Sequence, residues 1–225
     1  MVVGCGLLAK TMSSFENSDD VIIFASGVSN SKETNQNEYK RELILLNTFI
    51  GTNKKLIYFS TCSVLHDCQS ISNYITHKKN IEDYIKNNFD NYLIFRLPNV
   101  VGETGNKNTS FNFFKNCLLS NTQLFIEIGS SRYFIDVDDI TETLTPIILD
   151  PKQNKKEINV CFNNKIDIFN FVMIMSKTLG VTPNIKLVDG GCSQDVDNRE
   201  FISIINPKYK KIDQSYNLKI IKKYC

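Results

Sequence analysis

The sequence is poor in the residues that hold metals: it has two histidines, His66 and His77, and none of its 7 cysteines stands in a CxxC or other metal-ligand spacing. A metal centre is therefore not expected, and an odd set of scattered thiols reads as a reduced, cytoplasmic chain. Strong charge of one sign is also missing. A net charge of +2 is too small for a nucleic-acid or membrane surface, and the lysines of the closing "YKKIDQSYNLKIIKKYC" alternate with apolar residues as on a solvated amphipathic segment. The purely apolar runs are only a few residues long, so neither a signal peptide nor a membrane span is expected. Repeats, low-complexity tracts and linkers are absent as well, which leaves one globular domain with enough length for a substantial core.

What is present is a set of short apolar runs with the length of buried strands: "MVVG" (1–4), "DVIIFAS" (20–26), "KLIYFST" (55–61) and "NYLIFRLP" (91–98). Helical spacing separates them at Leu7–Phe15, Tyr39–Ile50 and Ser72–Phe89. Strands alternating with helices predict a mostly parallel α/β sheet. Further on, a helix is predicted at Phe111–Leu119, and another capped by Asp138 or Asp139 and running to about Leu149. "KEINVCF" reads as a strand, and Ile168–Leu179 as an amphipathic helix ended by Gly180.

Ligands of parallel sheets sit at the carboxyl ends of the strands, and unusual residues fall there. Gly4, Gly6 and Ala9 form a GxGxxA turn after the first strand, where glycine lets the backbone turn tightly and approach a pyrophosphate. A glycine-bearing surface turn is the alternative. Ala25, Ser26 and Gly27 end the second strand with side chains small enough to let a cofactor lie close, and Ser60 and Thr61 end the third with hydroxyls. Tyr74 and Lys78 stand four apart, but 9 tyrosines among many lysines supply about one such pair by chance, so the spacing alone decides nothing.

The segments "VIIFASG", "KLIYFSTCSV", "YITHK", "LIFRLPNVVG" and "RYFIDVDDI", in that order, resemble the extended short-chain dehydrogenase/reductases, the NAD-dependent epimerase/dehydratase family that modifies nucleotide sugars. The resemblance runs from about Val21 to Leu149. It implies a Rossmann-like fold with helices on both faces of a sheet of reduced strand number, and a small C-terminal substrate region. The core is expected at about 1–98, with substrate-side elements from Asn99 onward, interleaved in a single domain.

In that resemblance Tyr74 is the general acid/base, and Lys78 lowers its pKa and anchors the nicotinamide ribose. Thr61 hydrogen-bonds the reacting oxygen. Gly4, Gly6, Ala9, Ala25, Ser26, Gly27, Tyr74, Lys78 and Pro98 border NAD or NADP, while Ser63, Asn99 and Arg132 face the nucleotide-sugar substrate. The bland alternatives are an exposed helix pair for Tyr74 and Lys78, a strand-end hydroxyl for Thr61 and a surface ion-pair partner for Arg132. Cys62 reads as packing, and the place where 3,5-epimerising relatives carry a cysteine is Ser63. The 4,6-dehydratases carry an Asp-Glu pair where this chain has Cys62-Ser63.

Two departures stand out. Only one short helix separates the glycine turn from "DVIIFAS", so the β–α–β segment carrying the rest of the adenosine-binding half is missing, and with it the residue that chooses between NAD and NADP. The stretch from Thr61 to Tyr74 is also short. The expected function is an NAD(P)-dependent reductase or epimerase on a nucleotide-linked sugar, with reductase ahead. The rival is a family member that binds a nucleotide or a partner and does no chemistry. A homodimer is expected through the helices at Tyr39–Ile50 and Ser72–Phe89, because Leu43, Ile44, Leu45 and Leu46 offer more apolar surface than one face buries.

Overall fold

The computed structural model describes residues 1–65 and 72–225. Strand β1 (Val2–Val3) leads through α1 (Leu7–Thr11) and a 3₁₀ turn to β2 (Val21–Phe24), α2 (Gln36–Asn47) and β3 (Lys55–Thr61). A second 3₁₀ turn at Cys62–Leu65 precedes α3 (Asn73–Asn88), β4 (Tyr92–Leu97), β5 (Asn99–Val101), α4 (Ser110–Leu119), β6 (Leu124–Glu127) and β7 (Ser131–Arg132). Then come β8 (Phe134–Asp136), α5 (Val137–Leu149), β9 (Lys156–Asn159), β10 (Ile166–Asp167), α6 (Ile168–Leu179), β11 (Ile185–Val188), α7 (Arg199–Ile204), α8 (Pro207–Lys210) and α9 (Ser215–Tyr224). The chain forms two compact units, Met1–Leu97 with Val137–Val160, and Pro98–Asp136 with Cys161–Cys225.

The first unit is built on a five-stranded sheet in the order β1-β2-β3-β4-β9, parallel at every pairing. Alternation along the strands sorts their side chains to two faces. Ile22, Phe24, Leu56, Tyr58, Tyr92 and Ile94 meet Leu46 of α2 and Ile81 and Ile85 of α3 in one apolar cluster. Ile23, Ile57, Phe59, Leu93 and Phe95, all buried, point the opposite way, to the face left for α1 and α5. Those two helices pack on each other, and the Thr141 hydroxyl donates to the Thr11 carbonyl at 3.4 Å. Of the four apolar residues in a row on α2, Leu46 is fully buried and Leu43 and Leu45 lean on the core, leaving only Ile44 exposed.

Helix α3 starts at a Ser72 cap whose hydroxyl accepts from the Ile75 amide at 3.2 Å. The helix expected to be capped by Asp138 or Asp139 begins one turn-position earlier, at Val137, so both aspartates sit in its first turn. There their charge favours the helix dipole.

In the second unit β5 pairs with β8 and β6 with β11, both parallel, and β7 pairs antiparallel with β10. Phe134 and Phe171 stack face to face at 3.9 Å, with Phe111 edge-on to Phe171 at 6.2 Å. Gly180 ends α6 in the left-handed conformation, with φ +68°. Cys5, Cys62, Cys117, Cys161 and Cys225 are free thiols.

The C-terminal helix α9 is held by a buried amide pair. Asn164 Nδ2 donates to the Phe134 carbonyl at 2.7 Å and to Asn217 Oδ1 at 3.1 Å, and Asn217 Nδ2 returns a bond to the Asn164 carbonyl at 2.7 Å. Both side chains are sealed from solvent. Replacing Asn217 with alanine strands the Asn164 groups it satisfies, and should cost about 1–3 kcal/mol in urea unfolding, with faster amide exchange in α9. Unchanged unfolding would show that the pair does not hold the helix.

Candidate functional site

The carboxyl ends of β1 and β2 meet at a backbone contact that only glycine permits. Gly4 has φ +127°, and a Cβ there would lie 2.5 Å from the Ala25 carbonyl oxygen. Neither side of that contact has a side chain that can swing away. The GxGxxA turn is thereby laid against Ala25 and Ser26. Gly6 differs: it is in an ordinary conformation at the start of α1, and no atom lies within 4 Å of where its Cβ would be. The space over Gly6 is open, while Ala9 is buried in α1.

Across β2, Arg41 of α2 reaches back over Ser26. Its Nη1 donates to Ser26 Oγ and its Nη2 to the Ser26 carbonyl, each at 3.1 Å, and Nε pairs with Glu38 at 3.0 Å. Sequence reasoning did not single out Arg41.

Tyr74, Lys78 and Glu82 recur every four residues, so they form one stripe along α3, and all three are buried. At the top of the stripe stands Tyr74, and the Thr61 side chain, ending β3, pulls its phenol pKa down. Val28, Tyr39 and Ile75 pack around that ring. At the bottom, Glu82 takes Arg96 of β4 in a fork (Nε to Oε1 3.0 Å, Nη2 to Oε2 2.5 Å) and accepts from Ser60 Oγ at 2.5 Å, which fixes α3 on β3 and β4.

Lys78 occupies the middle of the stripe and does not turn to Tyr74. Its Nζ donates to Tyr58 Oη at 2.8 Å and to Glu42 Oε1 at 3.3 Å. Glu42, fully buried, accepts four bonds: Oε1 also takes the Tyr58 hydroxyl at 2.6 Å, and Oε2 takes the Val28 amide at 2.7 Å and His77 Nε2 at 2.9 Å. Burial pushes the Glu42 carboxyl up, but Lys78, His77, Tyr58 and the Val28 N–H outweigh it and hold the pKa at about 2. Burial pulls the Lys78 ammonium down, with Glu42 opposing.

The sequence expectation that Lys78 lowers the Tyr74 pKa is not met. Burial, and then the negative Glu42, push that phenol up to about 12, with the Thr61 side chain pulling the other way. Gly27 belongs to the same cluster, since a Cβ there would stand 2.8 Å from both Glu42 Oε1 and Lys78 Nζ. Glu42 was also missed from sequence. Its signal was position: it shares the buried face of α2 with Tyr39 and Leu46.

Of the other expected site residues, Ser63 follows the Thr61 strand end, its amide donating to Thr61 Oγ1 at 3.2 Å, and Cys62 is buried with Sγ against the Arg96 carbonyl at 3.2 Å. Pro98, Asn99 and Arg132 belong to the second unit. Asn99 is tied within it, Nδ2 donating to the Tyr133 carbonyl at 3.0 Å and Oδ1 accepting from Ser110 at 2.9 Å. Arg132 is half-buried and makes no ion pair among the described residues. Its Nη1 donates to the Ser131 and Cys192 carbonyls at 2.8 and 3.0 Å, and burial lowers its pKa against the pull of Glu127. Among the described residues no group of three or more His, Cys, Asp or Glu side chains is placed to hold a metal.

The Glu42 cluster has a pH signature. Its carboxyl titrates near 4.5 when unfolded and near 2 when folded, so it stabilises the fold above pH 4.5 and that contribution, of about 3 kcal/mol, is lost as pH falls towards 2. Glu42→Gln should lower stability at neutral pH by leaving Lys78 without its counter-charge, and should flatten the acid dependence of urea unfolding between pH 4.5 and 2. An unchanged acid profile would mean that other carboxyls set it.

No protein-family model and no curated protein matches the chain. Among solved structures it is similar to UDP-glucuronic acid 4-epimerase from Bacillus cereus in complex with UDP-glucuronic acid and NAD (18% identity over 95% of this chain and 77% of that one, TM-score 0.71). It is similar as well to UDP-glucose-4-epimerase from Stenotrophomonas maltophila with bound NAD (14%, 99% and 81%, TM-score 0.72). RMD from Pseudomonas aeruginosa, complexed with NADPH, gives 15% identity over 98% and 87% at TM-score 0.67. At these identities the likeness establishes the shared fold, a Rossmann-like parallel sheet flanked by helices.

Proposed function

We propose that the chain is an NAD(P)-dependent enzyme of the extended short-chain dehydrogenase/reductase type that acts on a nucleotide-linked sugar, as a reductase rather than an epimerase. The observation that carries this reading is the buried Tyr74–Lys78 stripe of α3, with Thr61 at the carboxyl end of a parallel strand acting on the Tyr74 phenol. The fit to a dinucleotide rests on the glycine turn: Gly4 is forced against Ala25, and the space over Gly6 is open. Gly4, Gly6, Ala9, Ala25, Ser26 and Lys78 would hold the cofactor, with Gly27 making room for Lys78. Pro98 is assigned to the cofactor and Ser63, Asn99 and Arg132 to the substrate on the resemblance. The half-buried Arg132 guanidinium, lacking a carboxylate among the described residues, suits a nucleotide diphosphate.

The nicotinamide, when bound, supplies the hydride. Tyr74 gives its phenolic proton to the sugar oxygen as the carbonyl becomes an alcohol, and Thr61 hydrogen-bonds the same oxygen. A phenol held near pKa 12 is protonated at neutral pH, which is the form that reduction consumes. An epimerase needs the phenolate for its first, oxidative half, so the high value supports the reductive direction.

One observation favours the rival reading, a nucleotide- or partner-binding member without chemistry: Glu42 and Tyr58 hold the Lys78 ammonium that an active site of this type would spend on tyrosine and ribose. Tyr74→Phe separates the two. It removes one hydroxyl and keeps the ring, so turnover of a keto-sugar nucleotide with NADH or NADPH should fall by roughly 10²–10⁴ with little change in melting temperature. Full turnover in the Phe variant would sink the catalytic role, and no turnover in either protein would leave the binding reading standing.

The proposal includes a cytoplasmic homodimer paired through α2 and α3. Among the described residues no helix is long and apolar enough to cross a membrane. Ile44 is the exposed apolar residue of α2. Sedimentation should give a dimer at micromolar concentration, and a monomer there would remove the assembly claim.

A further inference from the structure

We propose that Arg41 is the cationic contact for the diphosphate of the cofactor, standing in for the strand–helix–strand segment that the chain lacks. This rests on the NAD(P) reading given above. The Gly4 contact brings the turn to Ser26, since a Cβ on Gly4 would lie 3.2 Å from the Ser26 nitrogen. Arg41 forks over that same serine, Nη1 on its hydroxyl and Nη2 on its carbonyl. These bonds and the Glu38 pair use three of the five guanidinium N–H groups, so each Nη keeps one to offer. The side chain is 45% exposed, which leaves that edge accessible.

The other cationic sources nearby are spent or weak. Lys78 is neutralised by Glu42, and α1, at five residues, is too short for its first turn to supply much field. The turn itself, Gly4–Ala9, carries no basic residue. A diphosphate laid in the open space over Gly6 therefore has the incompletely bonded Arg41 guanidinium on the Ser26 side of the turn, and a guanidinium fork matches paired phosphate oxygens. The exposed Glu38 pair holds Arg41 only loosely, since surface ion pairs contribute little.

The test is calorimetric binding of NADH, NADPH and ADP to the full chain and to Arg41→Ala and Arg41→Lys, at two salt concentrations, with melting curves to confirm that the variants fold. Arg41→Ala should weaken all three ligands by about tenfold or more and flatten the salt dependence, with Arg41→Lys recovering part of the loss. If Arg41→Ala binds NADH and ADP as tightly as the unsubstituted protein, the proposal fails and the cofactor reading stands. A loss confined to NADPH overturns it too, because that would place Arg41 on a ribose phosphate. If the unsubstituted protein binds neither NADH nor NADPH, both the proposal and the cofactor reading fall.

Discussion

The carboxylate of Glu42 is the group around which the candidate site is arranged. A fully buried negative charge costs several kcal/mol unless it is paired and hydrogen-bonded, and this one takes a bond from each of Val28, Tyr58, His77 and Lys78. Those four donors come from the loop after β2, from β3 and from α3, so one side chain on α2 joins the elements whose carboxyl-end positions make up the crevice. The requirement fixes neighbouring residue types as well. Gly27 must lack a Cβ because Glu42 and Lys78 meet beneath it, and Tyr58 must be a tyrosine where the apolar strand pattern would accept phenylalanine.

Burial acts first on the state of the tyrosine, and Glu42 adds to it. Lys78 is four residues from Tyr74 on the same stripe, yet its charge is cancelled by a carboxylate that also acts on the phenol directly, so the net influence of the pair raises the Tyr74 pKa. Proximity of an ammonium to a phenol is not sufficient to activate it; the balance of charge at that point decides.

Much of the fold was legible because its strands are continuous apolar runs and its helices have one apolar face. The bounds of β3 and α6 coincide with the sequence reading, Lys55–Thr61 and Ile168–Leu179, where a β-branched and aromatic run ends in hydroxyl residues and where an amphipathic repeat ends in glycine. The Tyr74–Lys78 stripe was legible as spacing, but the direction of the lysine was not, because a four-carbon stem swings to whichever buried carboxylate is within reach. Strands β7 and β10 have two residues each and exist only through partners far along the chain, so no local pattern announces them. The start of α5 was missed because three aspartates, Asp136, Asp138 and Asp139, flank Val137 and all carry a side chain of the capping type, and only the backbone selects among the possible starts.

The strand order makes the missing segment a physical constraint as well as a difference from relatives. Doubly wound sheets bind dinucleotides where the strand order reverses, because the connections on either side of that point leave to opposite faces and open a crevice. The order β1-β2-β3-β4-β9 does not reverse, yet α1 and α2 lie on opposite faces, so the connections on either side of β2 still part there; β1, two residues long, is the edge of the sheet. A short edge strand is a safe terminus for a sheet, since it offers little backbone to pair with another chain. It is also a poor wall for a ligand: beyond Gly4 the sheet supplies no further strand end, so whatever lies over the turn is framed by β2 on one side and by solvent on the other. Binding must then draw on the β2 side, where Ser26 and the helix above it are the groups in reach, and this shifts recognition of a dinucleotide from the sheet to α2.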